Sequence, residues 1–243
     1  MVMLTYMNYI NQLDQNSHES YALVNPHTKE EIIRIPECPD DQMEEVIQKA
    51  ESAFRKMKSM PAYERSEILD RSAQVVSDYN NLFAETIAKE SGKPMKYALG
   101  EVDRTVQTLK FSAIEARKLE GESIPLDAAP NGAGRDAYTI FEPIGVIGAI
   151  TPFNFPLNLV VHKVGPAIAA GNSIIVKPAE KTPLSAILLR EALVEAGLPE
   201  NAYHVITGDG PRLGQVLLKS NAIKKVTFTG SLKLGVRLSR KQD

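Results

Sequence analysis

Tryptophan is absent from the 243 residues, cysteine occurs once, and aromatic residues make up only 6%. A single cysteine excludes an intramolecular disulfide framework and a cysteine-rich metal site, so no metal is expected. Neither sign of charge dominates: 28 Lys and Arg stand against 30 Asp and Glu, a formal net charge of −2. Attraction to phosphate needs clustered positive charge, so this balance argues against a dedicated nucleic-acid or membrane-surface protein. No run approaches the roughly 20 consecutive apolar residues of a membrane span. The opening MVMLTYMNYINQLDQN lacks the basic-then-apolar layout of a signal peptide. A cytoplasmic chain with no nucleic-acid or membrane partner is the expectation.

The pattern of the chain changes near residue 136. Before it, Tyr21–Val24 and Ile32–Ile35 flank the turn-rich Asn25-Pro26-His27-Thr28-Lys29, which suits a hairpin. Asp41 with Glu44 three residues on resembles a capping box, opening a helix to about Lys58. Further helices are expected from Pro61 to Asp78, from Asn81 to Ser91 with a stop at Gly92, and from Pro94 to about Glu120. The mixed charges of the last one, Glu101 and Arg104 among them, read as a solvated face. Residues 121–136 read as a loop. After them strand and helix alternate: strands at Ile144–Ile150, Ser173–Val176, Tyr203–Ile206 and Lys225–Phe228, and helices at Pro156–Ala170, Pro183–Ala196, Pro211–Lys219 and from Ser231 on. That rhythm predicts an α/β fold, a Rossmann-like parallel sheet with flanking helices, preceded by the hairpin and helical segment. Residues 1–136 form the first part and 137–243 the second.

Ligands bind such sheets at the carboxyl ends of the strands, and four candidate sites fall there. The first is Thr151-Pro152-Phe153-Asn154-Phe155-Pro156. A fixed side-chain amide beside a reacting carbonyl is half of an oxyanion hole, which Asn154 could supply; taken alone, an Asn before a helix reads first as a plain helix cap. On the helix that follows, Phe155, Leu159 and His162 share a face at i, i+4 and i+7, with Lys163 on an adjoining line. A basic pair in an apolar helix costs desolvation unless it lines a cavity, although a snorkelling Lys and a core His remain open.

The second site is Lys177-Pro178-Ala179-Glu180. A Glu at a strand tip can accept both hydroxyls of a ribose, and it repels a 2′-phosphate, which leans the cofactor toward NAD with NADP also open. The third, Gly208-Asp209-Gly210-Pro211-Arg212-Leu213-Gly214, is one residue longer than the dinucleotide fingerprint, yet Gly210 and Pro211 could wall an adenine pocket. In the fourth, Phe228-Thr229-Gly230-Ser231-Leu232-Lys233-Leu234-Gly235, free N–H groups and the Ser231 hydroxyl make a natural phosphate site.

In order and spacing, TPFNFP, HKVGPAIAAGN, KPAEKTP, GDGPRLG and VTFTGSLKLG resemble the aldehyde dehydrogenase superfamily, from about residue 20 to the end. The resemblance implies NAD(P)-dependent oxidation of an aldehyde to its acid through a cysteine thiohemiacetal, and a full-length homodimer or homotetramer. It assigns catalysis to Asn154, the oxyanion donor, and Lys163, near the substrate channel. Lys177 and Glu180 match the adenosine-ribose contacts and Ser231 the pyrophosphate contact. Ile150, Thr151, Pro152, Phe153, Gly210, Pro211, Phe228, Gly230 and Leu234 complete the cofactor site. Phe155, Leu159, His162 and Arg104 border the substrate tunnel, and the two basic residues suggest an aldehyde with an anionic head group; for Arg104 a surface salt bridge is the rival reading.

One departure is decisive. The family's catalytic cysteine and its general-base glutamate belong to segments beyond the FTGS motif, and neither is in this sequence. The lone thiol, Cys38, sits between two prolines ahead of the first helix. The expectation is therefore a truncated, cofactor-binding portion, inactive alone, with a non-catalytic nucleotide-binding or interaction module as the alternative.

Overall fold

The computed structural model describes residues 19–239. Strands β1 (Ser20–Val24) and β2 (Glu31–Pro36) form the antiparallel hairpin, with Tyr21 facing Ile35 and Leu23 facing Ile33. Four helices follow: α1 (Asp40–Ser59), α2 (Ala62–Asp78), α3 (Asn80–Ser91) and α4 (Met95–Ala116). Gly92 ends α3 at φ +69°, in the left-handed region where a Cβ is costly, and its N–H returns to the carbonyl of Ala88.

Three expectations about this half need correction. The Asp41 capping box does not form: Pro39 occupies the cap position of α1, and Asp41, already in the first turn, accepts from the N–H of Gln42. The long helix stops at Ala116 rather than near Glu120. The segment read as a loop contains β3 (Ser123–Ile124), which pairs with β4 (Ala137–Tyr138).

The second half alternates as the apolar runs imply: β5 (Val146–Ile150), α5 (Asn158–Ala169), β6 (Ser173–Lys177), α6 (Leu184–Glu195), β7 (Tyr203–Val205), α7 (Gly210–Lys219), β8 (Ile223–Phe228) and α8 (Leu232–Ser239). The four strands pair in parallel in the order β7-β6-β5-β8. Numbered along the chain that is 3-2-1-4, the doubly wound order, whose switch point lies between β5 and β8. Side chains of the central strands alternate between two apolar clusters. Ile147, Ala149, Ile174 and Val176 pack with α2–α6, and Val146, Ile150 and Ile175 pack with α1 and α7. Burial on both faces is what a parallel sheet requires, and it leaves only the strand ends free for chemistry. No described helix is long and apolar enough to cross a membrane.

Candidate active site

The crevice opens where the switch point predicts. Loops leaving β5, β6 and β8 and the start of α7 enclose a cavity of about 410 Å³ with mainly apolar walls, in the range of ligand pockets. All twelve residues singled out as cofactor contacts line it. Ile150, Thr151, Pro152 and Phe153 come from the end of β5, Lys177 and Glu180 from β6, and Gly210 and Pro211 from the start of α7. Phe228, Gly230, Ser231 and Leu234 close it from β8 and α8.

The polar side of the cavity is a short ion pair. Lys177, with a side chain only 5% exposed, meets the carboxylate of Glu180, which is 47% exposed. Gly210 faces this pair: a Cβ there would stand 2.6 Å from Glu180 Oε1 and 3.1 Å from Lys177 Nζ. A glycine at position 210 thus keeps the backbone close to this pair. Phe228 lies against Gly230 and Gly235, so its ring forms part of the floor.

Four helices begin at this edge of the sheet, each with unsatisfied N–H groups that attract negative charge. Three are already occupied by the protein's own carboxyl groups. Glu101 accepts from Leu157 N and Asn158 N at the start of α5, at 3.0 and 3.1 Å. Glu90 accepts from Leu184 N at 2.7 Å and from the N–H and hydroxyl of Ser185 at the start of α6. Asp209 accepts from Arg212 N at 2.7 Å in α7. Only α8 starts with a neutral group, the Ser231 hydroxyl, 3.4 Å from Leu234 N.

Both glutamates are fully buried, and neither was found from sequence. Glu101 is thus not part of a solvated face. Burial pushes the Glu90 carboxyl up to about 8, against the hydrogen bonds from Ser185 and Leu184 that favour its ionised form.

The substrate-side residues divide. Asn154 is exposed in the turn before α5, which starts at Asn158 rather than at Pro156. Arg104 lies over the ring of Phe155, 4.9 Å from its centroid, and Leu159 N donates to the carbonyl of Phe155 at 3.1 Å. His162 and Lys163 instead line a separate cavity of about 510 Å³ together with Arg65, Arg117, Phe141 and Lys225. Lys163 Nζ donates to Thr229 and Thr227 hydroxyls at 2.8 and 3.2 Å, and burial lowers its pKa.

Cys38 is buried and lines a third cavity together with His204. Burial pushes its thiol up to about 11, opposed by Arg212. That environment suppresses the thiolate a nucleophile needs. Among the described residues no group of three or more His, Cys, Asp or Glu could hold a metal ion.

The aldehyde dehydrogenase family model matches residues 13–243. A 3-sulfolactaldehyde dehydrogenase from Priestia aryabhattai is 40% identical over 227 residues, covering 93% of this chain and 47% of the relative. A lactaldehyde dehydrogenase from Methanococcus maripaludis is 38% identical over 226 residues, covering 91% of this chain and 47% of the relative. Among solved structures, the NADP-dependent glyceraldehyde-3-phosphate dehydrogenase from Bacillus halodurans, complexed with NADP, superposes with a TM-score of 0.89. It is 35% identical and covers 93% of this chain and 48% of that one. The chain spans about half the length of the curated relatives it matches.

Proposed function

The chain belongs to the aldehyde dehydrogenase family, and from that premise we propose that its crevice binds the adenosine and pyrophosphate portion of NAD for the oxidation of an aldehyde. The observation that carries this reading is the inequality of the helix starts. The carboxyl groups of Glu101, Glu90 and Asp209 already take N–H groups of three of them, so a pyrophosphate meets favourable N–H groups only at Ser231, inside the cavity.

The rest of the cavity fits the same ligand. Glu180 and Lys177 stand where ribose hydroxyls need an acceptor and a donor, and the Ile150, Pro211 and Leu234 walls suit a flat base. When bound, the nicotinamide accepts a hydride. Asn154, in the turn beside the crevice, offers its amide to the oxygen of the reacting carbonyl. Lys163 belongs to the substrate-channel side, held by Thr227 and Thr229. In this reading residues 1–136 are the hairpin and helical part of the cofactor domain and 137–243 its sheet. The full enzyme works as a homodimer or homotetramer in the cytoplasm.

Two cations face the Phe155 ring, Lys93 and Arg104; Lys93 is paired with Glu101, so substrate class follows from Arg104. Arg104 is exposed there and pairs with no carboxylate in the described structure, so an anionic head group suits it. The sulfolactaldehyde and phosphorylated-substrate enzymes among the similar proteins favour that choice. The lactaldehyde relative supports a second reading, an uncharged hydroxyaldehyde. His162, in the separate cavity, is not assigned to the head group.

On its own, the 243-residue chain does not oxidise aldehydes in this reading, because its one thiol is the inert Cys38. The test is calorimetric titration with NAD. Ser231→Glu, which adds a carboxylate to the last free helix start, should weaken binding at least tenfold. Undiminished NAD affinity in that variant would overturn the assignment of the pyrophosphate.

A further inference from the structure

Glu101 on α4 meets three donors with its two oxygens. Oε1 takes the backbone N–H groups of Leu157 and Asn158, and Oε2 takes Lys93 Nζ at 2.5 Å. Its side chain is 0% exposed and that of Lys93 16%. A carboxylate moved out of water is costly unless its lone pairs are met and its charge is opposed, and here both conditions hold. Lys93 Nζ also donates to the carbonyl of Asn154 at 3.0 Å and stands 4.4 Å from the centroid of Phe155. Thr108, two turns beyond Glu101 on the same face of α4, adds a bond to the side chain of Asn158 at 3.2 Å.

The segment held this way has little to hold itself. Residues 151–157 contain no regular helix or strand, and α5 has no side-chain cap from its own chain neighbours. Phe153 from this segment walls the cofactor cavity, and Asn154 follows it directly.

We propose that Lys93 and Glu101 are positioning residues: as a buried ion pair they hold the loop 151–157, and with it Phe153 and Asn154, at the mouth of the crevice. The proposal deepens the cofactor reading, on which its nucleotide arm rests. The two charges do separate work. Glu101 satisfies the first amides of α5, and Lys93 neutralises Glu101 while reaching four residues upstream of the helix start to Asn154. Without the cation, a buried carboxylate is left unpaired; without the carboxylate, the amides and the cation are. Either loss releases the loop.

The test compares the 243-residue chain with Lys93→Met, Lys93→Arg and Glu101→Gln by amide hydrogen exchange and by titration with NAD and with AMP. In Lys93→Met, exchange at Leu157, Asn158 and Leu159 should rise at least tenfold while amides of β6 and α2 change less than twofold. Lys93→Arg should recover most of that protection. NAD affinity should fall at least fivefold, and AMP, which meets the Lys177–Glu180 wall, should change less than twofold. A uniform rise across the core marks a merely structural role and overturns the proposal. Unchanged exchange at the three amides, or equal weakening of both nucleotides, overturns it as well. If the unsubstituted chain binds neither nucleotide, the cofactor reading falls, and exchange at the three amides alone decides the clamp. Should Glu101→Gln fail to fold, the two Lys93 variants carry the test.

Discussion

Lys177 and Glu180, three residues apart at the end of β6, form an ion pair whose open side is faced by Gly210. The pair leaves no room for a side chain at that position. Because the nearest atoms are the ends of two side chains, Gly210→Ala should fold normally but turn Glu180 aside. NAD affinity is expected to fall about fivefold, near 1 kcal/mol, with the melting temperature unchanged. Calorimetry and a thermal scan on the same samples check both halves of the expectation.

The carboxylate of Glu180 should also sort cofactors. A 2′-phosphate placed against it meets like charge, so the chain should bind NAD more tightly than NADP. Glu180→Gln should narrow that preference several-fold, chiefly by improving NADP. Parallel titrations of both cofactors would show it, and a preference that survives the substitution assigns discrimination elsewhere.

The thiol of Cys38 should be inert. It is 6% exposed, and burial pushes its pKa up to about 11. Reaction with a disulfide reagent at pH 7 should be far slower in the folded chain than in urea. The same chain mixed with NAD and a phosphorylated or sulfonated aldehyde should yield no NADH above background. Substrate-dependent NADH formation would contradict the assignment of Cys38 as a bystander.

Burial, with help from Arg190 and Lys49, pushes His204 down to about 4 from an unfolded value of 6.5. The folded state therefore prefers the neutral imidazole, and between those two values the unfolded chain binds more protons. The resulting stability is complete above pH 6.5 and is lost as pH falls toward 4, a loss of about 3 kcal/mol over the whole interval. Urea unfolding at pH 7 and pH 4.5 should show His204→Gln losing less stability on acidification than the unsubstituted chain. Equal losses would mean His204 titrates normally.

The parts of this molecule legible in the sequence are those set by local pattern. Apolar runs of β5 and β6 are short and β-branched, and each is followed by a Pro- or Gly-marked helix start, so the strand-end motifs identify the cavity-lining residues. Asp41 misleads because its neighbour Pro39 already fixes the entry into α1, leaving no cap to make. Glu90 and Glu101 are invisible for a different reason. Their partners lie 94 and 56 residues away, and only tertiary packing turns two ordinary helical glutamates into caps for α6 and α5. Phe155, Leu159 and His162 read as one face by i, i+4, i+7 spacing, but the helix begins only at Asn158, and Arg104 is grouped with His162 by the family resemblance. The packing instead seats Arg104 on Phe155 and leaves His162 in another cavity.

The central claim is that the crevice between β5, β6 and β8 is the nucleotide site, and mapping amide shifts of the isotope-labelled chain during titration with NAD tests it most directly. The expected result is saturable shifts at Ile150, Lys177, Gly210, Phe228 and Ser231, with the cavity around Cys38 and His204 unmoved. Shifts confined to that second cavity, or none at millimolar NAD, would contradict it.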